Sequence, residues 1–156
     1  MSKSRFTFIL ISLILISSAV FGAELNATIQ EISGKVEMKK SGGAWTPVKI
    51  GDVLGAGDSI STGFNSKAVM MLGDTSILVA KDLTRLTLSE LYAKEGAVVT
   101  DLFLDVGNIR SEVHSSDSVS NDFTVRNANS TASVRGTVLD VEILGDGRGM
   151  KVMAWD

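Results

Sequence analysis

Few residues in this chain have the types and spacing that chemistry requires. Gly57-Asp58-Ser59-Ile60 has the form of the nucleophile block of GDS-type esterases. A serine hydroxyl is a weak nucleophile and needs a base within hydrogen-bond reach and a carboxylate to orient that base. Those enzymes carry the Asp and the His close together late in the chain. The sole histidine here, His114, has Ser111 three residues before it, so the block is read as chance. His114 itself stands beside Ser115 and Ser116, which reads as a solvent-facing strand end rather than a general base. Asp52, Asp58 and Asp74 each follow a glycine. Hard cations take oxygen ligands at tighter spacing than this, whereas Gly-Asp pairs are ordinary turn chemistry. There is no cysteine, which excludes disulfides and thiolate metal sites. Nucleophile elbow, P-loop, His-Glu-x-x-His and dinucleotide glycine patterns are all missing. The expectation is a non-enzymatic protein with no catalytic, cofactor-binding or metal-binding residues.

The elements around these residues read as short strands punctuated by glycine. Runs 29–32 and 35–38 alternate on either side of Ser33-Gly34, and a turn at 41–43 precedes a run over 45–50. A loop with two Gly-Asp turns spans 51–58. Runs 68–72 and 75–80 are separated by Gly73-Asp74, a two-residue hairpin-like break. Runs 98–106 and 108–113 lie on either side of Gly107. A polar loop at 115–121 leads to strands 123–126 and 134–144, and Asp146-Gly147 predicts a type I′ turn before 150–154. Residues 89–95 have two readings. Ser89 could cap a short helical turn, or 86–92 is one strand and 93–96 its turn. Roughly nine or ten strands with frequent turn chemistry predict an all-β single domain, an antiparallel β-sandwich or a β-roll or solenoid-like fold.

The N-terminus places this domain. Lys3 and Arg5 precede an uncharged, apolar run over 6–23, and polarity returns at Glu24. Basic start, apolar middle and small residues at the end describe a secretory signal peptide. The other reading is an N-terminal anchor, for which the run is at the short end of the roughly 20 residues a bilayer requires. Either way the domain, residues 24–156, is expected outside the cytoplasm, in the periplasm or at the cell surface. The full chain has 15 basic and 18 acidic side chains, and without Lys3 and Arg5 the balance is 13 against 18, a net charge of −5. Nucleic acid and anionic membrane surfaces select for basic patches, so neither is expected as a partner. Membrane contact is expected only if the N-terminal segment stays uncleaved.

Two motifs give a more specific lead. The first is Leu54-x-x-Gly57-Asp58-x-Ile60-x-Thr62-Gly63-x-x-Ser66-x-Ala68, then an apolar strand, the Gly73-Asp74-Thr75 turn and another strand. The second, about sixty residues later, is Val134-Arg135-Gly136-Thr137 before an alternating strand. Together they resemble the FecR domain of bacterial envelope proteins. Ile32 to Val36 with Trp45 is similar to that family's first hairpin, so the resemblance extends over 28–154. It implies an interaction module of the cell envelope, acting in signal sensing with an envelope protein partner. The alternative is a structural or cell-wall-associated scaffold with no sensing role. Sigma-factor regulators of this family add an anti-sigma N-terminal segment and a receptor-facing C-terminal module, and neither pattern is found here. The chain also stops at Ala154-Trp155-Asp156, one strand short of the family pattern, as a truncated product would.

Within the motifs, Ser66 and Thr62 are expected to bond turn amides, and Ala68, Met70 and Leu72 to share one buried face. Arg135 is read as structural. Val134 and Val138 would share one strand face and Arg135 and Thr137 the other, with the guanidinium fork satisfying carbonyls of the 51–58 loop. Its other reading is contact with an anionic ligand or partner. For the N-terminus, cleavage is expected after Gly22, with Val20 at −3, or after Ala23. Mass spectrometry of the envelope fraction checks this, and a mature protein that begins at Met1 identifies the segment as an anchor.

Overall fold

The computed structural model describes residues 22–114, 119–135, 138–143 and 149–155. The N-terminal segment 1–21, the 115–118 part of the polar loop, Gly136-Thr137 and the Asp146-Gly147 turn lie outside the described residues. Along the chain the strands are β1 Ala23–Glu24, β2 Ala27–Ser33, β3 Val36–Lys39, β4 Trp45–Pro47, β5 Val53–Leu54, β6 Ser59–Thr62, β7 Lys67–Leu72 and β8 Ser76–Ala80. They continue as β9 Arg85–Lys94, β10 Ala97–Val106, β11 Asn108–Val113, β12 Ser120–Arg126, β13 Thr131–Val134, β14 Val138–Ile143 and β15 Met150–Trp155. No helix occurs among the described residues, so the all-β expectation holds.

The strands form two sheets, whose inner faces enclose one core. Sheet A runs β13-β12-β10-β9-β6-β3-β4, with β1 also on β9, and sheet B runs β15-β14-β11-β8-β7-β2-β5. All pairings are antiparallel except β10 with β12, which is parallel. Strict alternation drives this arrangement, because every second side chain of a strand points to the same face. Ile60, Leu86, Leu88, Leu102, Leu104, Phe123 and Val125 from sheet A meet Ile29, Met70, Leu72, Leu78, Ile109, Leu139 and Val141 from sheet B. All are nearly or completely buried, each contributing about 1.5–3 kcal/mol relative to exposure. Ala68, Met70 and Leu72 do share one buried face.

Several connections differ from the sequence reading. Residues 32–36 are a crossing between sheets rather than a hairpin, with Gly34 at φ 74° at the corner. The hairpin is β3–β4, where Lys39 faces Trp45. The β7–β8 loop has three residues, 73–75, since Leu72 pairs with Ser76. The single strand expected over 134–144 is two strands in different sheets, and the chain leaves sheet A at Arg135. Ser120 and Asn121 belong to β12 rather than to the polar loop. Residues 85–94 are all strand, which settles the two readings of 89–95. A bulge at Ser89, where Leu88 pairs with Leu102 and Glu90 with Asp101, shifts the alternation by one. Leu88 and Leu91 therefore both face the core three residues apart, a spacing that mimics a helix.

Three of the crossings meet at two buried threonines. The hydroxyl of Thr62 donates to the carbonyl of Lys81 (2.5 Å) and accepts the Thr84 amide (2.9 Å). Thr62 N–H in turn donates to Thr84 O (2.9 Å). The Thr84 hydroxyl accepts Asn108 N–H and faces Asn108 O, both at 3.0 Å. Beside it Gly107 sits at φ 102°, where a Cβ would press on the Thr84 hydroxyl, on Thr84 Cα at 2.5 Å and on Leu83 O at 2.8 Å. Both the left-handed backbone and the close approach require glycine here. Gly107→Ala is expected to destabilise the protein by at least about 2 kcal/mol, read as a fall in the denaturant midpoint at unchanged m.

Candidate functional site

Two of the three Gly-Asp loops, at Asp52 and Asp58, are bonded into the fold. Asp58 is buried, and its carboxylate accepts Lys40 Nζ (2.7 Å), Ser41 N–H (3.0 Å) and Gly55 N–H (2.8 Å). Lys40 Nζ also donates to Val53 O at 2.5 Å, so one ion pair ties the β3–β4 hairpin to the β5–β6 loop. Burial by itself raises the Asp58 pKa. The Lys40 hydrogen bond, the Gly55 and Ser41 amides and the Lys40 charge outweigh it and hold the carboxyl below its ordinary value. Asp52 accepts Lys49 N–H at 2.8 Å, closing its own turn. No group of three or more acidic, His or Cys side chains is gathered for a metal among the described residues. Ser66 accepts Lys35 N–H at 2.8 Å, as its motif position suggested.

The esterase-like block does not converge with the histidine. Ser59 lies in sheet A with its hydroxyl paired to Thr87 at 2.8 Å. His114 follows β11 of sheet B, exposed, and its carbonyl accepts Asn121 Nδ2. The solvent-facing strand-end reading of His114 fits this placement.

Arg135 departs from its expected role. Its side chain is 79% exposed, and its Nε donates to Asp122 Oδ1 at 2.7 Å, far from the buried carbonyl contacts anticipated in the 51–58 loop. The reason is the sheet change: with β13 ending at Val134, Arg135 leaves the edge of sheet A on its outer side. Around it lies a surface cleft of about 490 Å³ lined by Asp122, Phe123, Thr124, Ser133, Val134 and Arg135. Register places Thr124 opposite Ser133, and their hydroxyls bond at 2.9 Å. One strand further in, Arg126 grips Asp101 through Nε (2.9 Å) and a terminal nitrogen (2.7 Å). Two Arg–Asp pairs thus flank a Thr–Ser pair on the outer face of β10, β12 and β13. The fork of Arg126 is engaged with Asp101. Arg135 keeps its two terminal nitrogens without a partner among the described residues, four donors in a planar fork suited to carboxylates or carbonyls.

Sequence reasoning singled out Arg135 and missed the rest of this surface. The signal was present in Asp122-x-Thr124-x-Arg126, polar residues at period two beside buried Phe123 and Val125. Pairing Asp122 with Arg135, thirteen residues on, needs the β12–β13 hairpin.

The Val134-Arg135 corner and Asp58 itself both lie in one matched family pattern. FecR protein, as a family, matches residues 58–154. The chain belongs to the FecR family. The match starts at Asp58, so the β3–β4 hairpin and Leu54 lie outside it, a shorter span than the 28–154 that the motifs suggested. No curated protein and no solved structure matches the chain. FecR family proteins are associated with the cell envelope, and the described residues contain no helix long and apolar enough to cross a membrane.

The Asp58 knot sets an acid sensitivity. Its carboxyl has a folded pKa below the ordinary 3.8, so its stabilisation is complete above that value and is lost as pH falls through the lowered one. Asp58→Ala is expected to destabilise by about 2 kcal/mol at neutral pH. Urea unfolding of parent and variant between pH 7 and pH 2 should show that difference shrinking only below about pH 4.

Proposed function

We propose that this FecR family chain is a non-enzymatic interaction module, exported to the periplasm or cell surface, that binds an envelope protein partner through the outer face of β12 and β13. The observation that carries the reading is Arg135, held at one nitrogen by Asp122 with its remaining fork turned to solvent at the rim of a cleft. The surroundings suit a polypeptide ligand. The Asp122 and Thr124–Ser133 oxygens accept backbone amides, and Arg135 donates to a carboxylate or to carbonyls. β13 adds an outer strand edge of sheet A with polar side chains, a place where an extended segment can pair. An envelope module that senses needs such a surface, whereas the scaffold alternative gives the exposed fork no task.

Because the Arg135–Asp122 pair is solvent-exposed, it contributes at most about 1 kcal/mol to stability. Arg135→Ala and Arg135→Lys are therefore expected to melt within a few degrees of the parent. Capture of a partner from envelope extract should fall at least tenfold in both, since lysine keeps the charge but not the fork. Variants that melt well below the parent yet capture as well as it does would return Arg135 to a structural role and sink this reading.

A further inference from the structure

The two outer faces of the sandwich are chemically different. On sheet A the outward positions of β12 and β13 are Ser, Thr, Asp and Arg, and those of β10 alternate Val99 and Phe103 with Asp101 and Asp105. On sheet B register carries one outward row from Thr28 through Met71 and Ile77 to Glu112, and a second from Glu31 through Val69 and Val79 to Arg110 and Asp140. At the far edge Met153 and Trp155 continue these rows, 36% and 45% exposed. Val69, Met71, Ile77 and Val79 are outward-facing side chains in the middle of the sheet, and each is only half-buried. Antiparallel sheets with one solvated face alternate apolar and polar residues. β7 and β8 read instead Ala-Val-Met-Met-Leu and Ile-Leu-Val-Ala, the continuous apolar run of strands covered on both sides.

We infer that the outer face of sheet B is an interface that packs against the same face of a second copy of this chain, sheet on sheet, about a two-fold axis. The charges on the face indicate which occupant it suits. Its cations Lys67, Lys81, Arg110 and Lys151 are matched in number by Glu31, Glu112, Asp140 and Glu142. Most are paired within the face: Lys67 with Glu31 at 2.7 Å, Lys81 and Arg110 with Asp140 at 3.1 and 3.3 Å. Arg110 also lies 5.6 Å from the ring centre of Trp155. The face is therefore neutral on a domain whose net charge is −5, so the excess negative charge sits elsewhere and keeps the other surfaces of two copies apart. A neutral face with most of its ions paired within it brings little like-charge penalty against itself and offers few unpaired cations to a lipid headgroup. Isologous contact needs only one such self-complementary patch. Seven strands about 4.8 Å apart, five residues deep, give a footprint on the order of 500 Å² before side-chain relief. Two such faces together bury on the order of 1,000 Å², the lower bound for a biological interface. This inference does not depend on the Arg135 surface, which lies on the other sheet.

The test uses the exported protein recovered from cells. Sedimentation equilibrium is expected to give twice the chain mass. Val69→Lys, an outward change in mid-face, should weaken association at least tenfold with an unchanged far-UV circular dichroism spectrum, whereas Thr124→Lys on sheet A should leave it intact. The chain has no cysteine, so Val79→Cys should form a disulfide-linked dimer under mild oxidation and Thr124→Cys should not. A parent that sediments at the single-chain mass at all concentrations overturns the inference. So does a dimer that Val69→Lys leaves intact, or a face that instead floats with zwitterionic vesicles or captures a different envelope protein in a Val69-dependent way.

Discussion

A chain that passes repeatedly between two facing sheets must leave one hydrogen-bonded ladder before it joins the next, and at each corner backbone groups lose their strand partners inside the protein. Three of these corners, after β6, before β9 and between β10 and β11, are brought to Thr62 and Thr84, whose buried hydroxyls accept the stranded amides and face the stranded carbonyls. An unsatisfied buried polar group costs about 1–3 kcal/mol, so several such corners would consume a large part of a domain's net stability. Gly107 is the geometric condition for this arrangement, since any side chain there would separate the Thr84 backbone from the β10–β11 corner. With the corners held, the apolar inner faces meet in register and the core closes without disulfides.

The same economy recurs at Asp58, where one carboxylate accepts from the hairpin, from its own loop and from Lys40. Its motif position next to glycine is a structural requirement of the β5–β6 turn, and this accounts for a conspicuous acidic residue without assigning it any chemistry. Asp58 and Ser59, which look reactive in the sequence, are thus engaged in the scaffold. The polar, Arg-bearing edge of sheet A and the neutral, apolar face of sheet B point in opposite directions.

What was legible beforehand was whatever depends on neighbouring residues. Alternation in 68–72 and 98–106, glycine at the corners, and Ser66 and Thr62 in bonding positions all follow from period-two geometry and turn chemistry, which act over a few residues. The all-β class and the membership of the FecR family followed from the same local patterns. Where local pattern and pairing conflicted, the reading split. The Ser89 bulge put Leu88 and Leu91 at a helical spacing, and only pairing with β10 resolved it.

Tertiary structure alone decided which sheet each strand joins and therefore which way each outward side chain faces. Arg135 illustrates this: alternation along 134–144 implied a single strand with the guanidinium beside the 51–58 loop, but the chain changes sheets there and turns it outward to Asp122. The apolar character of β7 and β8 was plain in the sequence, yet a half-covered apolar face could not be told from core until the sheets were assembled. By itself the sequence determined fold class, family and the local bonding of its turn residues, because those energies are short-range. The make-up of the two outer faces was left to the long-range pairing of strands, in which residues far apart in the chain share one face.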